Sequence, residues 1–185
     1  MGQQFDALSE HHTRFIAEQN IFFVGTAAAD GHVNVSPKGM DSLRVLDGKR
    51  VVWLNVTGSG NETSAHVQLN PRMTLMFCAF EGKPMILRLY GTARVIHRGD
   101  PEWATLSALF APLPGARQIF DVAIELVQTS CGMAVPYFSH IGERDQLSNW
   151  AQQKGDAGLH RYWEEKNQFS IDGFPTDIVA RSKIP

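Results

Sequence analysis

Apolar positions along this chain recur with two different periods, and the changes between them mark its elements. In residues 4–19, Phe5, Leu8, His12, Phe15 and Ile16 fall on one face at helical spacing, which predicts an opening helix. Residues 21–26 are rich in aromatic and β-branched side chains and predict a buried strand. Asp30-Gly31 is a hairpin signal, and residues 32–36 alternate polar and apolar with strand period until Pro37, which is expected to interrupt the strand. Further strands are predicted at 51–56, 73–80, 85–97 and 118–128, the fifth bent at Gly91. A short helix is expected between Thr63 and Leu69, ended by Asn70-Pro71, and another from Asp100-Pro101 to about Phe110. Helical spacing returns at 145–154 and 159–168, and the tail from 169 reads as loop.

Six strands joined mostly by hairpins, with one short helix after the third, predict a mainly β fold: a six-stranded antiparallel barrel with peripheral helices. Residues 1–185 are read as one domain, with its core at about 10–130 and a helical extension and tail at about 140–185. Apolar residues (43%) are numerous enough for a real core, and a net charge of −2 argues against a broad nucleic-acid field. Two isolated cysteines, Cys78 and Cys131, form no disulfide framework, and no apolar run approaches a membrane span. A cytoplasmic protein that contacts neither membrane nor nucleic acid is expected.

The segment richest in chemistry is 57–69. Here a strand delivers the turn Thr57-Gly58-Ser59-Gly60-Asn61-Glu62-Thr63 to a helix N-terminus. Glycines let backbone approach a ligand, and unpaired N–H groups at the positive end of a helix favour phosphate. The competing reading is structural: Ser59 and Glu62 have capping-box spacing. The loop is neither a Walker A sequence nor a dinucleotide fingerprint.

Residues 51–56, this turn, the short helix and Asn70-Pro71-Arg72-Met73-Thr74-Leu75-Met76-Phe77 resemble the heart of the pyridoxamine 5'-phosphate oxidase-like split barrels. The strand Ile86-Leu87-Arg88-Leu89-Tyr90-Gly91-Thr92-Ala93-Arg94-Val95 and the hairpin 23–37 fit the same pattern, so that the resemblance spans about residues 10–130. It implies a split barrel and a homodimer with FMN at the interface. It also implies oxidoreductase chemistry on a small molecule, with Thr57, Ser59, Asn61 and Thr63 at the phosphate and Ser36 and Lys38 along the flavin. A non-catalytic flavin- or haem-binding protein and an F420-dependent reductase of the same fold are the alternatives. The sequence departs from the oxidase proper. Asn61 and Glu62 stand where that enzyme has an Arg-Lys pair, Ile86 stands where it has a glutamine, and its arginine-rich carboxy-terminal motif is missing. Pyridoxine phosphate is therefore not the expected substrate, and no catalytic acid or base is assigned.

No metal site is expected, because the seven histidines lack ligand spacing. His66 reads as a solvent or interface residue, Cys131 as a buried thiol and Asp172 as a turn residue. Arg88 and Arg94 read as ion-pairing residues of the dimer interface, sharing one face if the strand is regular.

Overall fold

The computed structural model describes residues 2–182. Its elements are β1 (Gln3–Phe5), α1 (Glu10–Ala17), β2 (Phe22–Thr26), β3 (Asn34–Lys38), β4 (Leu43–Asp47), β5 (Arg50–Val56), α2 (Glu62–Leu69), β6 (Arg72–Cys78), β7 (Ile86–His97), α3 (Trp103–Ser107), β8 (Ala116–Ser130), α4 (Gln146–Lys166) and α5 (Ile178–Arg181). All pairings between these strands are antiparallel, in the order β3-β2-β6-β7-β8-β5-β4, with β1 added against β8. The edges β3 and β4 are joined by residues 39–42 alone. Such a link spans at most about 18 Å, so the sheet must curl until its edges face one another without closing. The result is a split barrel with an open seam.

Eight strands replace the expected six. β1 is the start of what reads as a helix: Phe5 pairs with Val127, and the helix begins only at Glu10. Ser9 caps it in a reciprocal box, with the His12 amide donating to Ser9 Oγ (3.4 Å) and the Ser9 amide donating to His12 Nδ1 (3.2 Å). β4 lies in a stretch without clean alternation. Pro37 does not interrupt β3; it sits inside it opposite Phe23, as an edge strand tolerates. Asp100 does not start α3, which begins at Trp103; its carboxylate accepts instead from the His97 amide (2.8 Å) and from Arg181. The two carboxy-terminal helices are one, α4, kinked at Gly155 (φ 61°).

β5 is buried on both faces, and its period-two alternation divides it between two cores. Val51 and Trp53 point into the barrel, where Trp53 stacks on Phe120 (4.4 Å, 14°) beside Phe22 and Phe77. Val52 and Leu54 point outward to Ile96, Ile119, Leu106 and Phe110 under α3. A third cluster, Ala151, Leu159, Trp163 and Ile178, belongs to α4 and α5. The irregularity near Gly91 falls on β8, where Glu125 is the extra residue between Leu126, opposite Tyr90, and Ile124, opposite Gly91. Gly91 is obligatory there, since a Cβ would lie 2.0 Å from the Ala123 carbonyl oxygen. β7 thus keeps its alternation, and Arg88 and Arg94 share a face. Within the chain, Arg94 pairs with Asp121 (2.8 Å) and Glu102 (2.7 Å), while Arg88 donates to Ser130 Oγ (3.2 Å).

Candidate functional site

Beside the seam, between β3 and the end of β5, lies a cavity of about 510 Å³, a typical size for a small-molecule site. Ser36, Lys38, Thr57, Ser59, Asn61 and Thr63 all line it. β3 alternates, so Asn34, Ser36 and Lys38 face inward while Val35 and Pro37 face out. β5 ends at Val56, and residues 57–61 carry the chain round to α2.

The six side chains have different work. Thr57 is fully buried and used in both directions, donating to the Gly115 carbonyl (2.8 Å) and accepting from Trp163 Nε1 (2.9 Å). Thr63 Oγ1 accepts from Asn34 Nδ2 (3.2 Å). Asn61 Nδ2 donates to the Asn167 carbonyl (3.4 Å), leaving its Oδ1 buried without a partner, and Ser36 Oγ is likewise buried and unpaired. Ser59 is exposed. Lys38 places its ammonium 5.3 Å from the Trp53 ring centroid.

The capping box expected at Ser59 and Glu62 is not formed. α2 starts at Asn61, whose own side chain does not cap it, and Glu62 Oε2 accepts from the Ile171 amide in the tail (2.9 Å). The glutamate is thereby held by the tail segment. The amides of residues 58–61 donate to no acceptor among the described residues. Successive free amides of this kind, leading into a helix start, form a concavity suited to an anion.

Arg117 is the residue that sequence reasoning missed. It is the second residue of β8, has 3% of its surface exposed and lines the same cavity. It donates to Asn167 Oδ1 (2.8 Å) and the Gly60 carbonyl (2.7 Å); reorienting the Asn55 amide adds an acceptor at 3.2 Å. No carboxylate among the described residues forms an ion pair with Arg117 or Lys38. Burial, with the neighbouring Arg117 charge, pulls the Lys38 ammonium down to about 8. Burial also pulls Arg117 down to about 9, against the opposing influence of Tyr162 and Glu62. A buried guanidinium and a half-buried ammonium facing one cavity without a paired anion cost free energy that a bound anion would recover.

A second cavity, about 910 Å³, adjoins the first and shares Pro37, Lys38, Gly39, Met40 and Leu147 with it. The dividing turn holds Met40 and Asp41 in the left-handed region (φ 61° and 50°), a strained pair fixed by the Arg44 fork on Asp41 (both 2.7 Å).

Two other readings resolve differently, and the turn reading of Asp172 holds with a contact added. His66 is buried, not at solvent, with Nδ1 3.2 Å from Thr26 Oγ1. Cys131 is exposed, and Cys78 is the buried thiol. Asp172 accepts from the amide (2.9 Å) and Nδ1 (2.6 Å) of His32 and so ties the tail to the β2–β3 hairpin. Among the described residues no group of three or more His, Cys, Asp or Glu could hold a metal, and no helix is long and apolar enough to cross a membrane.

This architecture is that of the split barrels, and residues 8–131 match the family profile described as pyridoxamine 5'-phosphate oxidase. A pyridoxamine 5'-phosphate oxidase family protein of Aspergillus flavus, ustO, is 35% identical over 189 residues, covering 92% of this chain and 76% of that one. The chain belongs to the pyridoxamine 5'-phosphate oxidase family. Solved structures share the fold at low identity. HupZ of Group A Streptococcus (H111A form) superposes with a TM-score of 0.55 at 20% identity, covering 66% of this chain and 98% of that one. A pyridoxinephosphate oxidase family protein of Clostridium acetobutylicum, related to general stress protein 26, gives 0.52 at 19%, covering 65% and 86%.

Proposed function

We propose that this protein is an FMN-dependent oxidoreductase acting on a small molecule, working as a homodimer with the cofactor at its interface. The observation that carries the reading is the pair Lys38 and Arg117: two cations on one cavity, without carboxylate partners, beside a run of unused amides. The unpaired Ser36 Oγ and Asn61 Oδ1 add polar capacity to the same wall. Together these groups suit a phosphate and its polyol chain.

Arg117 and the amides of residues 58–61 hold the phosphate. Ser36 and Lys38 lie along the cofactor where it leaves the phosphate end. The adjoining cavity beyond Gly39 and Met40 receives the substrate. FMN when bound supplies the electron-pair acceptor, and the protein supplies grip, orientation and a cleft shielded from water. Lys38 is the one titratable group common to both cavities, so it can hold a proton near the point where they meet.

Titration of purified protein with FMN, followed by quenching of flavin fluorescence, tests this reading. Saturable binding, loss of the bound flavin's colour with a reductant and its return in air support it. No binding at high micromolar FMN sinks it, and F420 and haem titrated in the same way then decide between the alternatives.

A further inference from the structure

The match to the family profile stops at residue 131, yet the loop facing the anion cavity is held from behind by residues that lie further on. Asn167, which ends α4, has no exposed surface. Its Oδ1 accepts from Arg117 Nη1 (2.8 Å), while its Nδ2 donates to the carbonyls of Gly58 (3.1 Å) and Ser59 (3.4 Å). Its own carbonyl accepts from Asn61 Nδ2 (3.4 Å) and Thr176 Oγ1 (2.6 Å). One turn earlier on α4, Trp163 Nε1 holds Thr57.

One side chain therefore grips both the buried guanidinium and the two carbonyls of the loop. In a planar trans peptide the N–H points opposite to the C=O. With the Gly58 and Ser59 carbonyls drawn to Asn167, the amides of Ser59 and Gly60 are turned away from it and stay free. Being uncharged, Asn167 satisfies Arg117 without neutralising it. An aspartate there would make the same contact and cancel the charge.

We propose that Asn167 is a positioning residue for the anion site: it fixes Arg117 and orients the 57–61 loop so that a phosphorylated cofactor is selected over its dephosphorylated form. This rests on the FMN reading above. It makes the carboxy-terminal segment part of the cofactor site and not an appendage to the barrel.

FMN and riboflavin titrated in parallel separate the two ideas, using wild type, Asn167→Ala, Asn167→Asp, Arg117→Met and the Asn167→Ala/Arg117→Met double variant. Charge-assisted contacts of this kind set the scale. Asn167→Ala is expected to weaken FMN about tenfold with riboflavin changed less than about twofold, Asn167→Asp to weaken FMN further, and the alanine effect to shrink in the Arg117→Met background. Unchanged riboflavin affinity also certifies the fold, and the isosteric Asn167→Asp carries the test where alanine does not fold. A wild type that prefers FMN, loses the preference with Arg117→Met and keeps it in both Asn167 variants overturns the positioning role and leaves the site reading standing. Equal loss of FMN and riboflavin in the Asn167 variants overturns it as well, as the mark of a general structural role. A wild type with no preference for FMN removes the site reading, and this inference falls with it.

Discussion

The inside of the barrel and the cavity at its seam are only one strand apart, yet they are built on opposite terms. Around Trp53, Phe120, Phe22 and Phe77 the groups are spent on their neighbours, with stacked rings, buried aliphatics and alternation kept along β5 and β7, Trp53 Nε1 being the one polar atom of these four side chains without a partner. At the seam, capacity is left over. Ser36 Oγ, Asn61 Oδ1, the amides of residues 58–61 and the charges of Lys38 and Arg117 have no partner that answers them. Groups left unanswered at a folding cost mark the place where something else is meant to bind.

The sharpest way to break this contrast is to empty the apolar side. Trp53→Ala removes one of the two largest fully buried side chains among the described residues and is expected to cost about 3–5 kcal/mol in chemical denaturation. A loss under about 1 kcal/mol would mean that the barrel interior is far less tightly packed than described. The seam should respond in the reverse sense. Arg117→Met is expected to lower FMN affinity about 100-fold while leaving the cofactor-free protein as stable as wild type or more so, because an unpaired buried charge has gone.

His97 belongs to neither region cleanly. It is fully buried with both ring nitrogens unpartnered, and burial together with the Arg181 charge pulls it down to about 4. Its folded value lies below its unfolded one, so its contribution is intact above about 6.5 and is lost as pH falls through about 4. A loss on the order of 2 kcal/mol over that window is expected. It should be visibly smaller in His97→Phe, although His12, also lowered, contributes in the same range.

Lys38 sets a smaller pH effect on binding. With its ammonium at about 8, FMN affinity should fall about tenfold between pH 7 and 9 as that charge is lost, with Arg117 following at higher pH. The lower part of this fall should vanish in Lys38→Met. The smallest effect is expected at the tail. His32 is largely exposed, so His32→Ala should leave the unfolding midpoint unmoved within error, although it removes the imidazole contact to Asp172 and keeps only the backbone one.

Most of the barrel was legible because strand period survives burial: six of its strands stand close to where alternation and turn residues put them. β1 was not, because Gln3-Gln4-Phe5 becomes a strand only by pairing with β8. β4 was hidden by Leu43-Arg44-Val45-Leu46-Asp47, which fits neither period. At the site, the six residues singled out by their local signature all line one cavity. The capping box was misread because Ser59 and Glu62 satisfy the spacing while the backbone starts its helix at Asn61. The real box at Ser9 uses histidine where the pattern asks for Glu or Gln. Arg117 was missed by placing the start of β8 at Gln118, two residues late. Nothing local signals Asn167, whose importance lies in contacts spanning 50 to 109 residues of sequence.

Those long spans order events in time. Domains form progressively from the amino-terminal end as the ribosome extends the chain, and the barrel strands are complete by Ser130. Residues 163, 167 and 176, which clamp the loop, emerge only later. A nascent barrel can therefore bury its aromatic interior while the 57–61 loop is still unclamped. On the FMN reading proposed above, capture of the cofactor becomes one of the last steps in the protein's birth.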